Sequence, residues 1–380
     1  MDFSWTDEQL AYKKAAIELG RQLNDGLIER DRSGELSRAG WAACARFGLQ
    51  GLPMPEVYGG AEADILTTML TMEGLGYGCR DNGLIFAINA QLWSVQMPIL
   101  DFGTPEQKER YLPRLIRGEL IGAHGMSEPD SGSDAYSLRA RAERRGDGYL
   151  LNGTKTFVTN APVADVALVF ATVDREKGMW GVTAFLIDRG TAGFRVGRDI
   201  EKLGLRTSPM AEVILEDCLL PEANRLGPEG AGARIFNSSM EWERSCILAS
   251  HLGAMERQLE TCIRYAGERQ QFGQAIGKFQ SVSNRIVDMK VRLETARLLL
   301  YKVAWLKKNG RPAAQEAALA KLYLSESFLQ SSLDAVRVHG GYGYMTEFEV
   351  ERDLRDAVGG TIYSGTSDIQ RAIAARLMGL

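Results

Sequence analysis

The chain predicts an α+β fold in three consecutive parts: an N-terminal helical domain (1–120), a central antiparallel β domain (121–225) and a C-terminal four-helix bundle (226–380). Three observations predict it. Apolar residues recur three and four apart from residue 6 to about 118; short β-type runs take over between 121 and 218; long helical patterns return after Gly227-Pro228-Glu229-Gly230. With 380 residues and 45% hydrophobic content, the chain can bury a core large enough for all three.

In the first part Ile65, Met69, Met72 and Leu75 mark one helical face, and Gly51-Leu52-Pro53 and Tyr58-Gly59-Gly60 mark breaks. In the second, Tyr149-Leu150-Leu151-Asn152-Gly153, Val166-Ala167-Leu168-Val169-Phe170 and Val182-Thr183-Ala184-Phe185-Leu186-Ile187 read as strands between Gly, Asp and Asn turns. In the third, Ile286, Met289, Leu293, Ala296, Leu300 and Val303 form one apolar stripe, and the whole stretch fits three long helices and a shorter last one.

Composition excludes several function classes. A net charge of −4, with 45 basic residues dispersed among 49 acidic ones, gives no general basic field, so nucleic acid is not expected as a partner. The first residues run straight into a polar helical pattern with no basic segment ahead of an apolar one, and no apolar run approaches the roughly 18 residues of a membrane span. A cytoplasmic protein is expected. Five cysteines without a CxxC pair read as reduced, mostly buried thiols. His124, His251 and His339 lie far apart with no HExxH, so no metal site is expected.

Three segments could carry chemistry. Ser127-Glu128-Pro129-Asp130-Ser131-Gly132-Ser133-Asp134 can present N–H groups and hydroxyls to an anionic or heteroaromatic ligand, although alone it reads as a surface turn. Arg269-Gln270-Gln271-Phe272-Gly273 offers an Arg near a helix end, for a phosphate or for capping. His339-Gly340-Gly341-Tyr342-Gly343-Tyr344 is Gly-rich after a helix, which is most often a C-cap.

Taken in order and at these separations, the pieces are similar to the acyl-CoA dehydrogenase family of flavoproteins, from about Phe3 to Leu380. Further matching segments are Lys155-Thr156-Phe157-Val158-Thr159-Asn160, Lys202-Leu203-Gly204-Leu205-Arg206, Phe279-Gln280 and Tyr363-Ser364-Gly365-Thr366-Ser367-Asp368-Ile369-Gln370. The resemblance implies an acyl-CoA dehydrogenase-like fold and an FAD held across the β domain and the C-terminal bundle. Met126, Ser127 and Ser133 match pyrimidine-side and phosphate contacts, and Phe157 and Thr159 match residues against the isoalloxazine. Arg269, Phe272 and Gln280, with Gly340 and Gly341, resemble groups that reach the adenosine-diphosphate portion from a neighbouring subunit, so self-association as a dimer or tetramer is implied. Thr366 and Asp368 match the contacts after the final loop.

Two departures stand out. Arg337 occupies the place where much of the family has a Gln near the flavin pyrophosphate, a chemically acceptable exchange. Phe157 stands where many relatives place Trp, which leaves an electron-transfer flavoprotein and dioxygen both open as electron acceptor.

The implied chemistry takes a proton from the carbon beside a thioester carbonyl while hydride leaves the next carbon for the flavin. Its base is a carboxylate whose pKa must rise in a desolvated site, and the enolate oxygen needs hydrogen-bond donors. Many relatives keep this base in a Tyr-Glu-Gly-Thr loop; here the loop reads Tyr363-Ser364-Gly365-Thr366, and Ser364 cannot do that job. A branch typified by isovaleryl-CoA dehydrogenase carries it on a helix, in Leu-Asp-Leu-Glu-Arg, where this chain has Met240-Glu241-Trp242-Glu243-Arg244. The resemblance thus assigns Glu243 as catalytic base and expects the Ser364 N–H, with a flavin ribityl hydroxyl, on the thioester carbonyl. Ser133, Glu241, Arg244, Tyr363 and Gly365 are the other expected substrate contacts, and Leu92, Trp93 and Trp242 are candidate pocket walls. The plainer alternative makes Glu243 a solvated helix residue and has Glu241 close a capping box with Ser238.

Within the family, the chain resembles the prolyl-carrier-protein dehydrogenases of pyrrole-containing natural-product pathways, through Asn160-Ala161-Pro162-Val163-Ala164-Asp165, residues 279–290 and the Tyr363 loop. The implied substrate is a prolyl group tethered to an acyl or peptidyl carrier protein and oxidised to a pyrrolinyl or pyrrolyl thioester. The alternatives are a short or branched acyl-CoA, another carrier-bound amino or hydroxy acid, and a flavin-dependent hydroxylase reaction. An acidic carrier needs a basic patch, for which Arg139, Arg141, Arg144 and Arg145 are candidates; the same run also reads as a charged hairpin in solvent.

Overall fold

A computed structural model describes residues 4–380; residues 1–3, read above as leading directly into the first helix, lie outside them. The first part holds α1 (Asp7–Gln22), α2 (Leu27–Ser33), α3 (Arg38–Phe47), α4 (Ile65–Gly78), α5 (Asn82–Gln91), α6 (Met97–Phe102) and α7 (Pro105–Ile116). Thr6 starts α1 with a capping box closed by Gln9, so the polar opening pattern has a defined helical origin. Between α5 and α6 the helix continues through one π-turn, Leu92–Gln96, whose residues are all buried.

That continuous run corrects one expectation. Asn82–Phe102 is long and apolar enough to cross a membrane by length and composition, but 83% of its apolar window is buried inside the protein. It is apolar all round because neighbours cover every face.

The second part is a sheet of eight strands: β1 (Gly122–Gly125), β2 (Arg141–Arg145), β3 (Gly148–Thr159), β4 (Val166–Thr172), β5 (Val182–Asp188), β6 (Phe194–Asp199), β7 (Met210–Pro221) and β8 (Arg225–Leu226). The order is β6-β7-β3-β2-β4-β5-β8, with β1 added on β4. Pairing is mainly antiparallel, but β1 runs parallel to β4, with Gly122 opposite Val166. Gly-Ala-His-Gly carries no β-type apolar run, so this strand leaves no pattern in the sequence. β4 is buried on both faces: Val166, Leu168 and Phe170 join the helical core, while Ala167, Val169 and Ala171 join Leu151, Val213 and Leu215 within the β part. In β3 the register slips between Lys155 and Val158, which leaves Phe157 at φ +56° and 63% exposed as a residue.

The third part contains α8 (Gly232–Cys246), α9 (Ala249–Glu268), α10 (Gln280–Lys308), α11 (Ala314–His339), α12 (Val350–Gly360) and α13 (Ser367–Leu377). Six α-helices thus occupy the stretch read as three long and one short, with α12 and α13 packed on α11. The extra break between α8 and α9 falls at Ile247-Leu248, where two buried apolar residues carry no Gly or Pro signal. The predicted stripe on α10 is buried at Met289, Leu293, Ala296, Leu300 and Val303.

α4 crosses α9 so closely that only glycine fits. A Cβ on Gly76 would sit 1.8 Å from the Ser250 carbonyl oxygen, and one on Gly253 would sit 1.9 Å from that of Glu73. Neither clash can be relieved by a side-chain rotation. Gly76→Ala is expected to destabilise the protein by about 1–3 kcal/mol, read as a lowered thermal unfolding midpoint against wild type.

Candidate active site

Glu243 lies on the buried stripe of α8 with Ile235, Ser239 and Cys246, spaced four, four and three apart. Its side chain faces the interior, which removes the solvated-helix alternative. Ser94, in the π-turn, donates from Oγ to Glu243 Oε2 at 2.9 Å, and Ser364 Oγ donates to Oε1 at 2.7 Å. Burial pushes the carboxyl above the ordinary carboxylate range, and this outweighs the two hydroxyls and the charges of Arg244 and Lys321, which act the other way. The result is a stronger base than a solvated Glu.

Across from it stands the loop that leads into α13. Ser364 (φ +56°) and Gly365 (φ +89°) both adopt left-handed backbone. Three side chains grip their carbonyls. Arg244 Nε (3.1 Å) and Gln370 Nε2 (3.0 Å) donate to the Ser364 oxygen, and Lys321 Nζ (2.7 Å) and Gln370 Nε2 (2.9 Å) donate to the Gly365 oxygen. Since N–H and C=O of one planar trans peptide point in opposite directions, this grip also fixes the N–H groups of Gly365 and Thr366. Thr366 itself caps α13 by accepting from the Ile369 N–H. Lys321 is wholly buried, and burial lowers its ammonium to about 8.

Other expected substrate contacts fall into two groups. Tyr363 is in the site: its ring packs 4.6 Å from Phe86, and its buried hydroxyl has no hydrogen-bond partner among the described residues. Glu241 is not, because two residues along a helix is about 200° around it. Its carboxylate receives Lys307 Nζ at 2.9 Å, and the same ammonium lies over the Trp242 ring. It closes no capping box either, since α8 already begins at Gly232. Trp93 stacks on Trp242 with ring centroids 6.1 Å apart, and Leu92 and Trp93 are fully buried.

The flavin-contact candidates lie on the β part and in the C-terminal part. The 127–134 loop is anchored from within: buried Glu128 accepts from the Arg139 and Ala140 N–H groups and from Lys155 Nζ at 2.6 Å, and Lys155 also donates to the Met126 carbonyl at 3.1 Å. Met126 is thereby buried, Ser127 is half-buried and Ser133 is exposed. Thr159 is half-buried two residues beyond Phe157 on the bulged strand, and Asp368 is exposed in the first turn of α13. The residues present fit a flat heteroaromatic group with an anionic tail: an outward Phe157 ring on a bulge, an anchored Ser loop whose Ser127 carbonyl accepts from the Thr156 N–H, and the N–H groups at the capped start of α13.

A second set stands apart. Phe272, 93% exposed, tips a hairpin formed by Gln270–Gln271 and Gln274–Ala275, with Arg269 and Gln280 exposed at its base. Arg269 lies over the Tyr342 ring beside exposed Gly340 and Gly341. Arg337 is held 3.5 Å from Asp334, which also receives Arg285 and Arg292, so three guanidinium groups share one buried carboxylate. The surplus positive charge suits a phosphate.

The candidate carrier patch is not an unbalanced one. Arg139 pairs with Asp130, Arg141 and Arg145 pair with Glu143, and Arg144 pairs with Glu222 and Glu229. The run is a charged hairpin whose acidic partners come partly from distant sequence.

Sequence reasoning did not find Ser94 or Lys321. Ser94 sits in the apolar string Gln91-Leu92-Trp93-Ser94-Val95-Gln96-Met97, and only the π-turn aims it. Lys321 did leave a signal, since it lies on the buried stripe of α11 with Ala317, Leu324 and Phe328.

Helical, β and helical parts around a buried carboxylate and a clamped loop define a class, and the comparisons agree with it. The N-terminal, middle and C-terminal domain models of acyl-CoA dehydrogenase match residues 6–119, 123–218 and 230–379. The chain is 45% identical over 379 residues, 99% of both chains, to L-prolyl-(peptidyl-carrier protein) dehydrogenase of Pseudomonas fluorescens. Among solved structures it superposes on the prolyl acyl carrier protein oxidase AnaB with TM-score 0.98 at 51% identity, covering 99% of this chain and 100% of that one. It also superposes on PigA, solved with FAD and proline, with TM-score 0.97 at 42% identity and full coverage of both. The chain belongs to the acyl-CoA dehydrogenase family, whose members are FAD-dependent oxidoreductases acting on CH–CH bonds.

Proposed function

We propose that this chain dehydrogenates a prolyl group held as a thioester on a peptidyl or acyl carrier protein, with Glu243 as the base. The observation that carries the reading is the buried Glu243 carboxylate, hydrogen-bonded to the loop in which Ser364 replaces the usual acidic residue. Full-length likeness to relatives named for prolyl-carrier substrates supports the substrate class.

Desolvation raises the proton affinity of Glu243 and so narrows its gap to a weak carbon acid. The Ser364 N–H, on a loop fixed by Arg244, Lys321 and Gln370, is the donor proposed for the thioester carbonyl. Met126, Ser127, Ser133, Phe157, Thr159, Thr366 and Asp368 would hold FAD, which when bound supplies the hydride acceptor. The first oxidation moves the α-proton onto Glu243 and a hydride off the neighbouring carbon, giving a pyrrolinyl thioester. Pyrrolyl requires a second loss of one proton and one hydride from the ring carbons that remain saturated, after Glu243 has released its proton and the electron acceptor has reoxidised the cofactor. The exposed Phe272 hairpin with Arg269, Gln280 and Arg337 supports a dimer or tetramer in which each copy completes the flavin site of another. Electron-transfer flavoprotein and dioxygen are the two candidate acceptors, which oxygen uptake during turnover separates.

The test is anaerobic mixing of FAD-loaded protein with prolyl-carrier protein. Bleaching of the oxidised-flavin absorbance is expected with the prolyl carrier and not with butyryl-CoA; the reverse preference would overturn the substrate assignment.

A further inference from the structure

A buried carboxylate acts as a base only if it presents an oxygen toward the carbon acid, and free rotation about its last bond would scatter that direction. Glu243 does not have this freedom. Ser94 Oγ sits 2.9 Å from Oε2 and Ser364 Oγ sits 2.7 Å from Oε1, and all three residues are buried. They come from three separate elements: the π-turn between α5 and α6, the helix α8 and the loop before α13. Each hydroxyl has one proton to give, and a carboxylate has about four lone-pair positions, so one hydroxyl per oxygen fixes the plane of the group and still leaves lone pairs for a substrate proton.

We propose that Ser94 and Ser364 are positioning residues that clamp the Glu243 carboxylate, one hydroxyl per oxygen, in the orientation its role as base requires. The inference rests on that role. It also gives the loop residue a role: the hydroxyl at position 364 serves the acid on α8.

The clamp carries an electrostatic consequence with a definite sign. Donors to the charged form favour it, and burial opposes it. The ionisable groups facing Glu243 are Arg244 on its own helix, Lys321 on α11 and Tyr363 on the loop; the π-turn contributes none. Arg244 and Lys321 spend hydrogen bonds on the loop carbonyls, so direct donation to the carboxylate comes from the two serines. Removing either hydroxyl should therefore raise the proton affinity of Glu243 further and move the acid limb of the reaction to higher pH.

The test uses FAD-loaded Ser94→Ala, Ser364→Ala and Ser94→Thr, with Glu243→Gln as the blank. Two readouts are taken: the pH profile of substrate α-proton exchange with deuterated solvent, and infrared titration of the buried carboxyl stretch missing from Glu243→Gln. The acid limb and the infrared midpoint are expected to rise by about one pH unit in each alanine variant, with kcat falling more than KM rises, and Ser94→Thr should restore both. Unshifted midpoints in both alanine variants would overturn the clamp. Exchange that survives in Glu243→Gln would instead overturn the base assignment, so the two failures are distinguishable.

Discussion

Glu243→Gln is expected to fold, to retain FAD and to lose turnover by about 10²–10⁴-fold, the usual contribution of a positioned general base. The amide has nearly the shape of the carboxylate, and its oxygen can still accept from one of the two serines, so the packing around α8 should survive. What it lacks is the capacity to take a proton. Circular dichroism and flavin absorbance should match wild type, while α-proton exchange and product formation fall together. In the wild type the same reasoning fixes the direction of pH dependence. Because burial raises the Glu243 pKa above its ordinary value, the active deprotonated form is lost on acidification at a higher pH than a solvated Glu would show.

Lys155→Met should have the largest effect on stability. Lys155 and Glu128 form a buried ion pair at 2.6 Å, with the lysine side chain fully enclosed. Replacing the lysine by an apolar residue of similar length leaves a buried carboxylate without its cation, a change that costs about 3–5 kcal/mol. The Arg139 and Ala140 N–H groups continue to reach Glu128 and keep the loss from growing further. The Met126 carbonyl loses its donor at the same time, so the candidate flavin loop should loosen along with the fold. A lower unfolding midpoint and weaker FAD retention are expected together. Adding Glu128→Gln to Lys155→Met should recover part of the stability, because the stranded charge is then removed.

The three-part organisation was legible because each part has its own hydrophobic period: α10 shows its stripe from Met289 to Val303, and the continuous apolar runs of β4 and β5 are the signature of strands covered on both faces. The fine structure was not. β1 has no apolar run to betray it, and the α8–α9 break is made of residues that suit a helix. The burial of Asn82–Phe102 depends on neighbours distant in sequence, so its composition alone cannot separate a core helix from a membrane span. At the site, Glu243 and the Tyr363 loop could be singled out by motif, but Ser94 could not, since its direction is set by a π-turn rather than by residue type. Glu241 and the hairpin arginines, which read equally as ligand contacts or as solvated charges, needed their ion-pair partners to be placed. Lys307 reaches Glu241, and Glu222 and Glu229 reach Arg144, from distant sequence, while Arg141 and Arg145 share Glu143 within the hairpin.

The most direct measurement is the intact mass of a carrier protein loaded with proline after incubation with the FAD-bound enzyme, run beside Glu243→Gln and a panel of short acyl-CoAs. Loss of two hydrogen pairs from the prolyl carrier with wild type, and no change with the variant, is the expected result. An unchanged prolyl carrier, with one hydrogen pair lost from a CoA ester instead, would contradict the account.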